Sequence, residues 1–150
     1  MVRDLSPPAV AYASGCDANT IRDWRSKGFL DGIGERQGKG HLYSVDDAVQ
    51  IAVAGFLSRH GILLRDAFAI VGERAAQIGE IIKSRGITDY VLTFALNPDL
   101  SGGYQSISGA PIAAVHLDKD IPGAMQINVS QIVRSVNARL HACEHTGVLS

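Results

Sequence analysis

The chain has 150 residues, is 46% hydrophobic and carries 14 Lys and Arg against 15 Asp and Glu, a formal net charge of -1. This is enough material for one ordinary domain or two small ones sharing a core, and it is too apolar for a disordered tail. The balanced charge excludes a globally basic binder of polyanions, so any such role has to rest on a local patch.

The opening "MVRDLSPPAV" lacks the apolar core of a signal peptide, and no apolar run approaches the ~18 residues of a membrane span, so a cytoplasmic protein with no membrane partner is expected. Cys16 and Cys143 are then expected as free thiols. Ser6 and Pro7 read as a cap and a first-turn proline for a short helix ending at Gly15. Asp17 caps a second helix, Ala18 to Lys27, which Gly28 ends. Two short helices joined by a tight glycine turn have the pattern of a helix-turn-helix.

From Phe29 to Tyr43 the glycines at 34, 38 and 40 disfavour a helix. A hairpin wing is predicted there, with "GERQGKG" as its tip. Ser44 and Asp47 resemble a capping box opening a helix whose apolar side carries Val45, Val49, Ala52, Val53 and Phe56. A stripe at steps of three and four from Leu64 to Ile82 predicts one longer helix ending at Gly86. Strands are predicted over Asp89 to Leu96 and Ile112 to Leu117, with "NPDLSGGYQSISGAP" as a loop between them. Asn128 and Gln131 signal a last helix with Val129, Ile132, Val133, Val136 and Leu140 on one side. That stripe either covers the chain's own strands or meets a second copy.

The only tryptophan, Trp24, sits among charged residues in "CDANTIRDWRSKGFL". Helical spacing places Ile21 and Trp24 on one face, toward the first helix and the wing, so Trp24 is the expected structural anchor. The opposite face is then free to enter a major groove, where Asn19 matches adenine and Arg22 matches guanine or a phosphate. Between Arg22 and Lys39 five basic residues stand against Asp23, Asp31 and Glu35.

"VAYASGCDANTIRDWRSKGFL", a glycine-rich turn and "HLYSVDDAVQIAVAGFLSRHGILLRDA" together resemble the DNA-binding domain of the MerR superfamily, a winged helix-turn-helix. Thr20, Ile21, Arg22 and Trp24, then Gly28, Phe29, Leu30, Tyr43, Asp47 and Gly61, fall in the family's order over about the first 75 residues. The resemblance implies Asn19, Thr20 and Arg22 as recognition-helix contacts and Arg36 with the wing tip as phosphate or minor-groove contacts. It also implies double-stranded DNA, a second copy of the chain and RNA polymerase as partners, in a bacterial, nucleoid-associated setting. After residue 86 the sequence turns to strands where the family's long dimerisation helix would stand. The family's dimer geometry, activation mechanism and metal sensing are therefore not carried over.

The full candidate DNA-binding set is Asn19, Thr20, Arg22, Asp23, Arg25, Lys27, Arg36, Lys39, His41 and Tyr43. The glycines of "GERQGKG" do not have the spacing of a phosphate loop, and no acid, base and nucleophile assemble into a catalytic set, so neither an enzyme nor a cofactor is expected. His141 and His145, four apart with Cys143 between them, are weak metal candidates, and no metal is expected. The predicted architecture is α+β and mainly α. Residues 1–85 form a winged helix-turn-helix with a following helix pair, and residues 86–150 form a small strand-loop-strand-helix region for dimerisation or regulation. A sequence-specific transcriptional regulator is the first functional reading. An excisionase-like architectural DNA binder of a mobile element and a protein-interaction module are the alternatives.

Overall fold

The computed structural model describes residues 2–85, 87–97, 104–112 and 122–146. Among them six helices and two small antiparallel sheets form a mixed α and β structure. Helix α1 (Pro7–Ser14) starts as expected, with the Ser6 hydroxyl accepting the Ala9 amide and prolines in the first turn. Gly15 ends it in the left-handed region at φ 71°. Helix α2 (Ala18–Ser26) begins at Asp17, whose carboxylate accepts the Asn19 amide at 3.2 Å. Its end is a Schellman motif, in which the Gly28 amide returns to the Arg25 carbonyl and the Phe29 amide to that of Trp24.

Strands β1 (Glu35–Gln37) and β2 (Gly40–Leu42) form a hairpin in which Arg36 faces His41 across the ladder. The connection is only Gly38 and Lys39, and the φ of 60° at Gly38 suits a two-residue turn with glycine first. The expected tip was too wide, because Glu35 to Gln37 are a strand and Phe29 to Ile33 are turns. A bridge from Leu5 to Tyr43, with both backbone hydrogen bonds at 2.9 Å, ties the N-terminal segment to the end of the hairpin.

Helix α3 (Val45–Arg59) carries the predicted capping box, Ser44 and Asp47 each bonding the other's backbone amide. Its apolar surface is not a single side. Ala48, Val49, Ile51, Ala52, Val53, Ala54 and Leu57 are all buried, because α3 is the central helix and other elements surround it. The single helix expected over Leu64 to Ile82 is two, α4 (Leu64–Glu73) and α5 (Ala75–Lys83), broken at Arg74. The Arg74 side chain donates to the Ile107 carbonyl at 2.9 Å. The break preserves the phase of the stripe, with Ile70 and Val71 before it and Ile78 and Ile81 after it all buried, so periodicity does not register it. Gly86, the expected stop, lies outside the described residues.

Strand β3 (Tyr90–Leu96) matches its expectation and lies at the centre of the second sheet. Its partners do not match. Strand β4 (Tyr104–Pro111) runs through the segment read as a loop, and β5 (Ala124–Asn128) forms the other edge. The strand expected at Ile112 to Leu117 falls, beyond Ile112, outside the described residues. Helix α6 (Val129–Thr146) starts where Asn128 accepts the Gln131 amide at 3.0 Å. Its stripe packs within the chain, on α1, α3, α5 and β3. One contiguous apolar core, including Val10, Trp24, Leu57, Phe94 and Val136, runs through both halves, with no break near residue 85. No helix among the described residues is long and apolar enough to cross a membrane.

Candidate nucleic-acid interface

The inner face of α2 is fixed by Ile21 and Trp24, both buried. Trp24 does not turn toward the hairpin. Its ring meets Phe68 of α4 edge-on at 5.4 Å, and Phe29 stacks on the same Phe68 at 5.8 Å. The Schellman motif brings Phe29 back beside Trp24, so the end of α2 and its aromatic anchor are one packing unit.

The outer face of α2 carries Asn19, Arg22 and Asp23, all exposed, with Thr20 half-buried at its margin. Arg22 donates to Asn19 Oδ1 at 3.1 Å, which holds a guanidinium and an amide side by side on the helix surface. Lys27 is paired with Asp23 at 2.8 Å. Across from α2, Arg36 and Lys39 are exposed on the hairpin, and Arg36 donates to the Gly38 carbonyl at 3.4 Å. A cleft of about 340 Å³ separates the two elements, with Ile21 and Tyr43 among its apolar lining and Arg22, Lys39 and His41 among its polar lining.

Arg25 and Tyr43 lie beneath this surface. Arg25 donates to the carbonyls of Leu30 at 2.8 Å and Ile33 at 2.6 Å and to the Tyr43 hydroxyl at 3.1 Å, with its guanidinium 5.7 Å from the Tyr43 ring centre. Its Nε is buried without a partner. Tyr43 is 3% exposed. Together they clamp α2 to the chain leading into the hairpin. Gly34, at φ 79°, makes the clamp possible, since a Cβ there would stand 2.7 Å from the Tyr43 ring and 2.9 Å from Arg25. Of these two candidate contacts, Tyr43 is buried and Arg25 half-buried, and both line the cleft while also holding internal partners. Charge in sequence does not distinguish the two roles when the partners lie eight and eighteen positions away.

The charge balance of the surface also differs from the simple count. Glu35 lies 3.8 Å from Arg3, and Asp23 is taken by Lys27. Among the described residues no carboxylate pairs with Arg22, Arg36 or Lys39. Three exposed cations are therefore without a carboxylate partner, and two of them, Arg22 and Lys39, line the cleft. Arg3, which sequence reasoning passed over, supports them indirectly through Asp47 at 3.0 Å and Glu35. The His41 imidazole is held below its ordinary pKa, first by burial and then by the cations of Arg25 and Arg36. At neutral pH it is an uncharged donor and acceptor at the cleft wall.

Cys143 is buried and His141 exposed on α6, while the side chain of His145 lies outside the described residues. Among the described residues no three His, Cys, Asp or Glu side chains gather as a metal site. The helix and hairpin present donors and positive charge at a spacing set by rigid packing, which suits a phosphate-lined groove. No protein-family model matches this chain, and no curated protein matches it significantly.

Proposed function

We propose that this protein is a sequence-specific DNA-binding transcriptional regulator that uses a MerR-like winged helix-turn-helix and binds a palindromic operator as a homodimer in the bacterial cytoplasm. The observation that carries the reading is the cleft that Arg22 of α2 lines together with Lys39 and His41 of the hairpin, with Asn19 bonded to Arg22 and the exposed Arg36 paired with His41 across the ladder. Helix α2 reads base edges in the major groove, where the Arg22 fork matches guanine and the Asn19 amide matches adenine. The hairpin tip contacts the neighbouring backbone through Arg36 and Lys39. Arg25 and Tyr43 hold the two reading elements at a fixed separation, and Trp24 anchors α2 on α4. A homodimer is favoured because one helix and one hairpin bury little DNA surface alone. The α6 stripe is not its interface, since Val129, Val133, Val136 and Leu140 are already buried in the chain, with only Ile132 half-exposed.

The test is selection from a random duplex DNA pool, followed by titration at two salt concentrations. Enrichment of a palindrome with half-sites a whole number of helical turns apart is the expected result. Salt-sensitive binding with no enriched motif would replace this reading with an architectural DNA binder. An absence of binding would overturn it in favour of a protein partner.

A further inference from the structure

A second cleft, on another part of the molecule, has features that the DNA reading does not use. It lies between α1, α3 and α6 and has a volume of about 290 Å³, near the small end of ligand pockets. Phe56 and Ile132 give it an apolar wall, Gln131 and Ser135 supply polar groups from α6, and Arg59 of α3 and Arg139 of α6 complete the lining. The two guanidinium groups converge on the end of α1. Arg59 donates to the Gly15 carbonyl at 3.0 Å and Arg139 to the Tyr12 carbonyl at 3.2 Å.

Each of these bonds uses one terminal nitrogen, and a guanidinium has five N–H donors. Among the described residues no carboxylate pairs with Arg59 or Arg139. Two like charges thus share a small cleft without a counter-ion, an arrangement that a bound anion stabilises. Gly15 contributes by being small, since a Cβ there would stand 3.0 Å from the Arg139 guanidinium. A bare inorganic anion would leave the wall of Phe56 and Ile132 unused.

We infer that this cleft binds a small organic carboxylate with an apolar body. The carboxylate lies between Arg59 and Arg139, and the apolar body lies against Phe56 and Ile132. If the arginines serve only to satisfy the carbonyls of α1, no such ligand is held.

The inference is tested without DNA, by NMR titration of the full chain with benzoate and hexanoate, with benzamide and sulfate as neutral and purely ionic controls. Saturable binding of at least one carboxylate is expected below about 10 mM, with amide shifts centred on Gly15, Phe56 and Ser135. Benzamide and sulfate should bind at least about tenfold more weakly, and Arg59→Gln should cost a similar factor. Ser135→Leu fills the cleft from an exposed position one helical turn before Arg139 and leaves both arginines in place. It should keep the thermal midpoint and lose the ligand. No saturation by either carboxylate, equal binding of benzamide or sulfate, or undiminished binding by a folded Ser135→Leu protein would each overturn the inference.

Discussion

Arg22 and Arg25 are three positions apart on one helix and do opposite work. Arg22 is exposed and bonded only to a neighbouring side chain, so Arg22→Ala should leave folding stability nearly unchanged while costing about 1 to 3 kcal/mol of specific DNA binding. Arg25→Ala removes three internal hydrogen bonds and takes from the Ile33 carbonyl its side-chain donor, while the Leu30 carbonyl keeps the Ile33 amide, which should cost about 1 to 3 kcal/mol in urea unfolding. Equal stability losses for the two variants would contradict this division. Lys39→Ala, a loss of one tip charge, should weaken binding evenly across sequences and lower the slope of affinity against salt by about one.

His41 adds a pH dependence whose sign follows from its lowered pKa. The unfolded chain takes up the proton at a higher pH than the folded chain does, so folding is penalised progressively as pH falls below the ordinary histidine range. Between about pH 7 and pH 5 the wild type should therefore lose more stability than His41→Gln, as read from urea midpoints. Parallel losses in the two proteins would show that His41 is not the responsible group.

Among the elements, α3 is the one on which the others depend. Its Gly55 permits the turn between α1 and α2 to approach, because a Cβ there would stand 2.6 Å from Cys16 Sγ and 3.5 Å from the Trp24 ring. Gly55→Ala should destabilise by about 1 to 3 kcal/mol through overpacking, despite the higher helix propensity of alanine. Cys16→Ala should recover part of that loss when the two changes are combined, a coupling that a double-mutant cycle measures. Simple additivity would mean that the clash relaxes elsewhere. The thiol itself is buried against Gly55, and burial pushes its pKa up.

The same logic explains β4. Its glycine and serines read as a loop, but Gly109 lies against the Tyr90 ring from β3, and a Cβ there would occupy the space of that ring. A glycine that signals flexibility in sequence is here a site of close contact within a sheet.

At the scale of the whole molecule, the C-terminal region completes the core of the N-terminal one. Helix α6 packs on α1 and α3, and the buried Ser130 hydroxyl links it to β3 by donating to the Thr88 carbonyl and accepting the Tyr90 amide. Arg134 donates to Asp89 at 2.7 Å, and this bond together with one from Asn128 holds the Asp89 carboxyl below its usual range. A fragment of residues 1–85 should therefore expose apolar surface of α1 and α3 and fall well short of native helix content by circular dichroism. A fragment that folds with the full-length thermal midpoint would show that the two halves are independent.

Local signals in the sequence determined much of the N-terminal architecture and its caps. Ser6, Asp17, Ser44 and Asn128 all accept the predicted amides, Gly15 takes the left-handed conformation that stops a helix, and β3 lies where its β-branched and aromatic run placed it. Such features depend on atoms a few positions apart, so they are written in short stretches of chain. The sequence also marked Asn19, Arg22, Arg36 and Lys39 as outward-facing polar groups, and they are exposed. Only the tertiary structure decided that Arg25 and Tyr43 bond each other inside the fold, that Trp24 packs on α4, that the boundary of α4 and α5 falls at Arg74, whose guanidinium reaches the Ile107 carbonyl of β4, and that most of the α6 stripe is buried within the chain. Each of those outcomes depends on which surface arrives from far along the chain, and neither propensity nor periodicity carries that information.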